Sequence, residues 1–102
     1  MASVYSTLLA TVHAGAGGSF SVDATHRCVV RQVTVFNANG VLSRNASLVH
    51  VASSCTIYQR AIGAQEWYSD DMRFVMNAGD ELLLLTDPDV DMTVSGYLLT
   101  LP

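Results

Sequence analysis

The sequence predicts an all-β chain: a single domain spanning residues 1–102, built as an antiparallel β-sandwich or jelly roll of about eight short strands. Three observations predict it. Runs of Val, Thr, Tyr, Phe and Leu recur along the chain, bounded by Gly, Asn, Asp and Ser, the pattern of strands punctuated by turns. No window sustains the 3.6-residue period of an amphipathic helix. A length of 102 residues holds one core of sandwich size and leaves no room for a second domain.

The first strand is Val4 to Val12. Its apolar positions are interrupted by Ser6, Thr7 and Thr11, and no positive charge precedes them, so the segment reads as a strand of the mature protein and not as a signal peptide. Gly15, Gly17 and Gly18 follow and mark a loop or tight corner. The alternative for residues 1–18 is an arm that crosses to a neighbouring subunit, with the glycines as its hinge. Phe20 and Val22 form a short strand. Arg27 to Asn37 forms a longer one, with Val33 and Val35 on one face and Gln32 and Thr34 on the other. Asn37-Ala38-Asn39-Gly40 ends it, because Asn and Gly tolerate left-handed backbone. Ser47 to Ala52 is the next strand, Ala52 to Ser54 a bulge or turn, and Cys55 to Arg60 a strand with plainer alternation. Gly63 opens a break that takes in Trp67, Tyr68 and the pair Asp70-Asp71, and Met72 to Met76 follows as a strand. The turn Asn77 to Asp80 leads into Glu81 to Thr86, and Asp87 to Val90 leads into the last strand, Asp91 to Leu101.

Half of the residues are hydrophobic, 14% are charged and none is lysine, against roughly 25% charged in an ordinary domain. A chain this small has more apolar surface than one core can hide, so part of its outside is expected to be covered by copies of itself or by a larger assembly. Leu82 to Leu85 places leucine on both faces of one strand, where a strand with one wet face alternates. In the last strand Met92, Val94 and Gly96 share one parity, whereas Tyr97, Leu99 and Leu101 take the other. A β-bulge at Ser95-Gly96 makes that change of phase, and a doubly buried central strand is the alternative. The contact residues are therefore placed at Leu83, Leu85, Tyr97, Leu99 and Leu101, with Tyr5 and Leu8 near the N-terminus.

The chemistry is sparse. Five arginines are scattered through a chain of net charge −4, which does not make the basic stripe a nucleic acid needs. The longest uninterrupted run of large aliphatic residues, Leu82 to Leu85, is far short of a membrane span. His13, His26 and His50 have no partner at ligand spacing, and no serine sits in a Gly-x-Ser-x-Gly elbow, so no enzyme, metal or cofactor is expected. Asp87-Pro88-Asp89-Val90-Asp91 spaces its carboxylates like a calcium loop, but Met92 and Leu98 stand where an EF-hand has glycine and glutamate. It reads as an acidic turn. Cys28 and Cys55 read as two small buried thiols, with a disulfide between packed strands as the alternative. Trp67 and Tyr68, beside Asp70-Asp71, are the one candidate platform for a sugar ring, since aromatic faces stack on apolar sugar surfaces.

One stretch carries a family likeness. Val75-Met-Asn-Ala-Gly-Asp-Glu-Leu-Leu-Leu-Leu85, a short acidic turn, and Val94-Ser-Gly-Tyr-Leu-Leu99 together resemble small β-sandwich accessory proteins of tailed bacteriophage virions. The likeness covers residues 65 to 102, and the remainder only in strand rhythm. It implies a non-enzymatic virion component assembled in the host cytoplasm, a decoration or minor capsid protein. The partners it implies are a homo-oligomer, with a trimer favoured, and the major capsid or other virion proteins. A tail or head-to-tail connector, or a carbohydrate- or receptor-binding module, is the competing expectation.

Overall fold

The computed structural model describes residues 4–100, and side chains from residue 7 to residue 100. Eight strands are present: β1 (Val4–Val12), β2 (Gly18–Ser21), β3 (His26–Asn37), β4 (Arg44–His50), β5 (Cys55–Ile62), β6 (Trp67–Met76), β7 (Glu81–Thr86) and β8 (Val90–Thr100). They form two four-stranded sheets, a first of order β1-β8-β3-β6 and a second of order β2-β7-β4-β5. Pairing runs β1 with β8, β2 with β7, β3 with β6 and β4 with β5, all antiparallel. That is one long hairpin, bent at the β4–β5 turn and rolled up, with the β3–β8 and β4–β7 ladders sealing the roll. The chain is a jelly roll.

The core is what the alternation requires. Val30, Val33, Val35, Met76, Met92 and Val94 of the first sheet meet Leu48, Ile62, Leu82 and Leu84 of the second, and each is at most 1% exposed. The leucine run splits cleanly, Leu82 and Leu84 inward and Leu83 and Leu85 outward.

β8 holds a single phase from Val90 to Leu98, so the expected bulge at Ser95-Gly96 is not on that strand. The irregularity lies on its neighbours. Between Val30 and Gln32 the β3 ladder slips by one residue, and Val30 pairs with Gly96 while Gln32 pairs with Ser95, leaving Arg31 as the extra residue. A second slip on β1 falls between Leu8 and Ala10. The β3 bulge presses its backbone onto β8, and a Cβ on Gly96 would overlap the Val29 carbonyl oxygen. Glycine is there for close approach, and not for a turn of its own.

Two strands differ most from expectation in extent, while β2 closes before Val22 and β5 runs on to Ile62. β4 starts at Arg44 and stops at His50, because Val51 to Ser54 forms the turn, with Val51 N–H donating to the Glu81 carbonyl and Ser54 N–H to that of Val51. β6 begins at Trp67 and not at Met72, since it pairs with β3 from Phe36–Trp67 to Cys28–Met76. Asp70 and Asp71 are strand residues: β6 is an edge strand, and an edge accommodates charge.

The loops at one end of the roll are tied together. Gly15, at φ 76°, donates to the Val90 carbonyl and packs so closely on Asp87 and Pro88 that a side chain would not fit. Asn37, fully buried at the end of β3, presents its Nδ2 to the carbonyls of Leu42 (2.9 Å), Ile62 (3.1 Å) and Gly63 (3.2 Å) and accepts the Asn39 N–H (2.9 Å). One side chain thus joins the β3–β4 loop to the β5–β6 turn. At the other end, Asp23 accepts from His26 Nδ1 (2.7 Å), the Thr25 hydroxyl (2.7 Å) and the Thr25 N–H (2.9 Å). The His26 bond foremost, then the Thr25 bonds, lower its carboxyl from 3.8 to about 2. A depressed carboxylate stabilises the fold above its unfolded pKa, and that contribution is lost as pH falls through the folded one. An NMR titration should therefore give Asp23 a midpoint near 2; a midpoint near the ordinary value would refute the Asp23–His26 bond.

Candidate functional site

The residues singled out in the sequence do not converge on one site; they divide between the two outer faces. Across the second sheet, the register aligns Ser19, Leu83, Val49 and Thr56 in one outward row and Leu85, Ser47 and Gln59 in the next. Neither row contains a charge. Leu85 is 47% exposed and Leu83 partly so, and Glu81 stands at the rim.

The first sheet carries the other candidates. Leu8, 60% exposed, lies on its outer face opposite Ser95, and Tyr97 and Leu99 follow Ser95 by strand parity. Tyr5 lies on β1, with its side chain outside the described set, and Leu101 is outside the described residues altogether. From Leu8 the rows read Leu8, Ser95, Gln32, Asp71; then Thr11, Thr93, Thr34, Ser69; then Asp91, Phe36, Trp67. The second is a hydroxyl ladder across the whole sheet, with Thr34 Oγ1 3.1 Å from Ser69 Oγ.

Trp67 and Tyr68 are not brought together. Both lie on β6, so adjacent side chains take opposite faces. Trp67 is 65% exposed beside Phe36, while Tyr68 turns to the side where the edges of β5 and β6 meet. There the Arg60 guanidinium lies 3.7 Å over the Tyr68 ring and 3.2 Å from Asp70 Oδ1; the Tyr58 hydroxyl donates to Asp70 Oδ2 at 2.7 Å and that of Tyr68 to Glu66 at 2.6 Å. Burial, and then the Asp70 carboxylate, push the Tyr58 phenol far above its ordinary range. This network seals the open flank of the sandwich.

The remaining titratable groups act as ties. Asp87 accepts the Asn45 N–H, Asp89 the Asn39 amide, and Asp91 the Ala14 N–H, so the three carboxylates face separate partners. Arg44 lies 3.7 Å from Asp89 and His13 2.9 Å from Asp91. His50 sits edge-on to Phe74, bonds Ser53 at 2.8 Å, and approaches Asp80 to 3.3 Å, out of line for a hydrogen bond. Among the described residues no three His, Cys, Asp or Glu side chains are placed to hold a metal. Cys28 is buried, and burial raises its thiol to about 11. Cys55 corrects the expectation of two core thiols: it opens β5 at the β4–β5 turn and is exposed, its partner across the ladder being His50.

One feature was missed in the sequence. Val30 and Val33 are both fully buried although three apart, so Arg31 and Gln32, consecutive residues, both emerge on the outer face. The doublet of polar residues inside a run of valines was the visible signal. Beside it lies a shallow dent of about 260 Å³ lined by Arg31, Gln32, Asp71, Ser95, Gly96 and Tyr97. The Arg31 guanidinium is 5.9 Å from the centre of the Tyr97 ring.

No protein-family model matches the chain, and no curated protein matches it. Solved structures do. The NLP core of Drosophila, studied for pentamer formation and histone binding, is 14% identical with a TM-score of 0.59, over 93% of this chain and 96% of that one. The coat protein of Tobacco streak virus, solved as a dimer, is 6% identical with a TM-score of 0.54, over 99% of this chain and 85% of that one. At such identities the likeness is one of fold. The chain thus has the jelly-roll fold that also builds a viral coat protein and a pentamer-forming core.

Proposed function

We propose that the protein is a non-enzymatic structural component of a virion: an oligomeric capsid decoration or minor capsid protein of a tailed phage, assembled in the host cytoplasm. The observation that carries this reading is the outer face of the second sheet. Leu83, Leu85 and Val49 stand there among Ser, Thr and Gln without a charge, and an uncharged flat face of this kind resembles the core of a permanent interface. The fold shared with a viral coat protein supports it. The jelly-roll layers leave both broad faces free for neighbours, and a closed ring of three joins two different patches of each protomer, of which the second-sheet face supplies one.

The test is the mass of the purified protein by light scattering across a dilution series. A constant multiple of the 10.9 kDa chain, with a trimer favoured, is expected. A well-behaved monomer at all concentrations overturns the oligomeric reading. Mass spectrometry of purified particles from the encoding phage should then find the chain in the virion, and its absence there would overturn the virion assignment.

A further inference from the structure

We infer that the dent at the β3 bulge is a binding subsite for one ring of an acidic saccharide. Its parts come from three strands that the fold alone brings together. The bulge turns Arg31 and Gln32 to the same face. The register then sets Ser95 on one side of Gln32 and Asp71 on the other. Gly96 leaves the floor bare, and Tyr97 forms a wall.

The lining decides the ligand class. A hydroxyl-rich ring needs donors and acceptors together, and planar side chains that can take two vicinal hydroxyls at once: Arg31 supplies donors, Asp71 acceptors, and Gln32 and Ser95 both. Tyr97, 39% exposed, offers a ring face for the apolar side of a sugar. A bare cation would meet Arg31. A small dense anion would meet Asp71.

Charge selects the acidic sugar. Arg44 and Arg60 have carboxylate partners, whereas Arg27, Arg31 and Arg73 have none within ion-pair distance among the described residues. All three are exposed on the outer face of the first sheet, and Arg73 follows Asp71 by two positions on β6, beside the Arg31 bulge. Arginines scattered in sequence are thus gathered on a face whose carboxylates are Asp71 and, at the far rim beside Phe36, Asp91, which is engaged by His13 and the Ala14 N–H, in a chain of net charge −4. An anionic glycan is drawn to this face and repelled elsewhere. From the dent, the hydroxyl ladder of Thr93, Thr34 and Ser69 leads to Phe36 and Trp67. Gln32 to Phe36 is four strand residues, roughly 13 Å, a track for a short oligosaccharide with Trp67 at its far end.

This goes beyond the structural role and uses the opposite face, so the two stand or fall apart. The experiment is calorimetric titration of the intact protein with oligosaccharides of hexuronate and of sialic acid, and with neutral hexose oligosaccharides of equal length. Binding of an acidic oligosaccharide at least tenfold tighter than the neutral one is expected. Arg31→Gln and Tyr97→Ala should each weaken it at least tenfold while circular dichroism and light-scattering mass stay unchanged. Three results would overturn the inference: no acidic oligosaccharide binds; the two variants bind like the parent; or polyglutamate or a single-stranded oligonucleotide of equal charge binds equally well, which would make the face a general polyanion patch.

Discussion

Asn37→Asp should destabilise the fold by roughly 3–5 kcal/mol near neutral pH, about the largest loss a single substitution at a polar position can produce here. The two side chains have the same shape. Aspartate, however, replaces the one group that donates to the Leu42, Ile62 and Gly63 carbonyls with an oxygen, and sets it 2.9 to 3.2 Å from three other oxygens at a fully buried position. Burial and those carbonyls disfavour the charged form, so the folded-state pKa of the new carboxyl is raised. A raised carboxyl costs stability increasingly as pH climbs above its unfolded value of about 3.9. The deficit should accordingly shrink toward pH 4, where the protonated acid can donate to one carbonyl. Urea denaturation at fixed protein concentration measures both, the fixed concentration being needed because association shifts apparent stability. A loss under about 1 kcal/mol at pH 7 would show that the loops at this end are held by other means, such as the Asp89–Asn39 bond and the backbone bonds around it.

What the sequence disclosed and what it withheld follow from the range of the forces involved. Strand periodicity is local, so the eight strands were legible, and Leu82 to Leu85 announced an inner and an outer pair that the structure separates. β6 was shortened in the reading because Trp67 to Asp71 looks like a polar break; its strand character comes from pairing with β3, a partner more than thirty positions away. The same blindness affected the site residues. Trp67 and Tyr68 seemed neighbours for one ligand, and only the strand at that point shows that they face apart. The phase change expected in β8 was attributed to Gly96 itself. β8 keeps its phase, and the bulge lies on the strand beside it, where its mark in sequence is the Arg31-Gln32 doublet. The arginines illustrate the limit most clearly, since Arg27, Arg31 and Arg73 come from two strands and gather only when β3 and β6 pair.

The second large effect concerns the opposite face. Leu83→Ser together with Leu85→Ser should convert the oligomer to monomer at concentrations where the parent remains assembled, a weakening of roughly tenfold per contact. Burying a whole leucine contributes about 1.5–3 kcal/mol; Leu85 is 47% exposed and Leu83 less, so association gains about 1–2 kcal/mol from the pair, where about 1.4 kcal/mol is a factor of ten. Neither residue supports the core: both point away from Leu82 and Leu84, which are wholly buried. The double variant should therefore stay folded, with the same circular dichroism and a stability altered chiefly by the lost association. Leu8→Ser is the informative companion. Leu8 is more exposed than Leu85, 60% against 47%, but lies on the first sheet, where the arginines stand. Exposure alone would make Leu8 the more damaging change, whereas the location of the uncharged face makes it the milder one. Light scattering on the variants decides between them: a parent-like mass for the double variant, or a monomer from Leu8→Ser alone, would move the self-contact from the second sheet to the first.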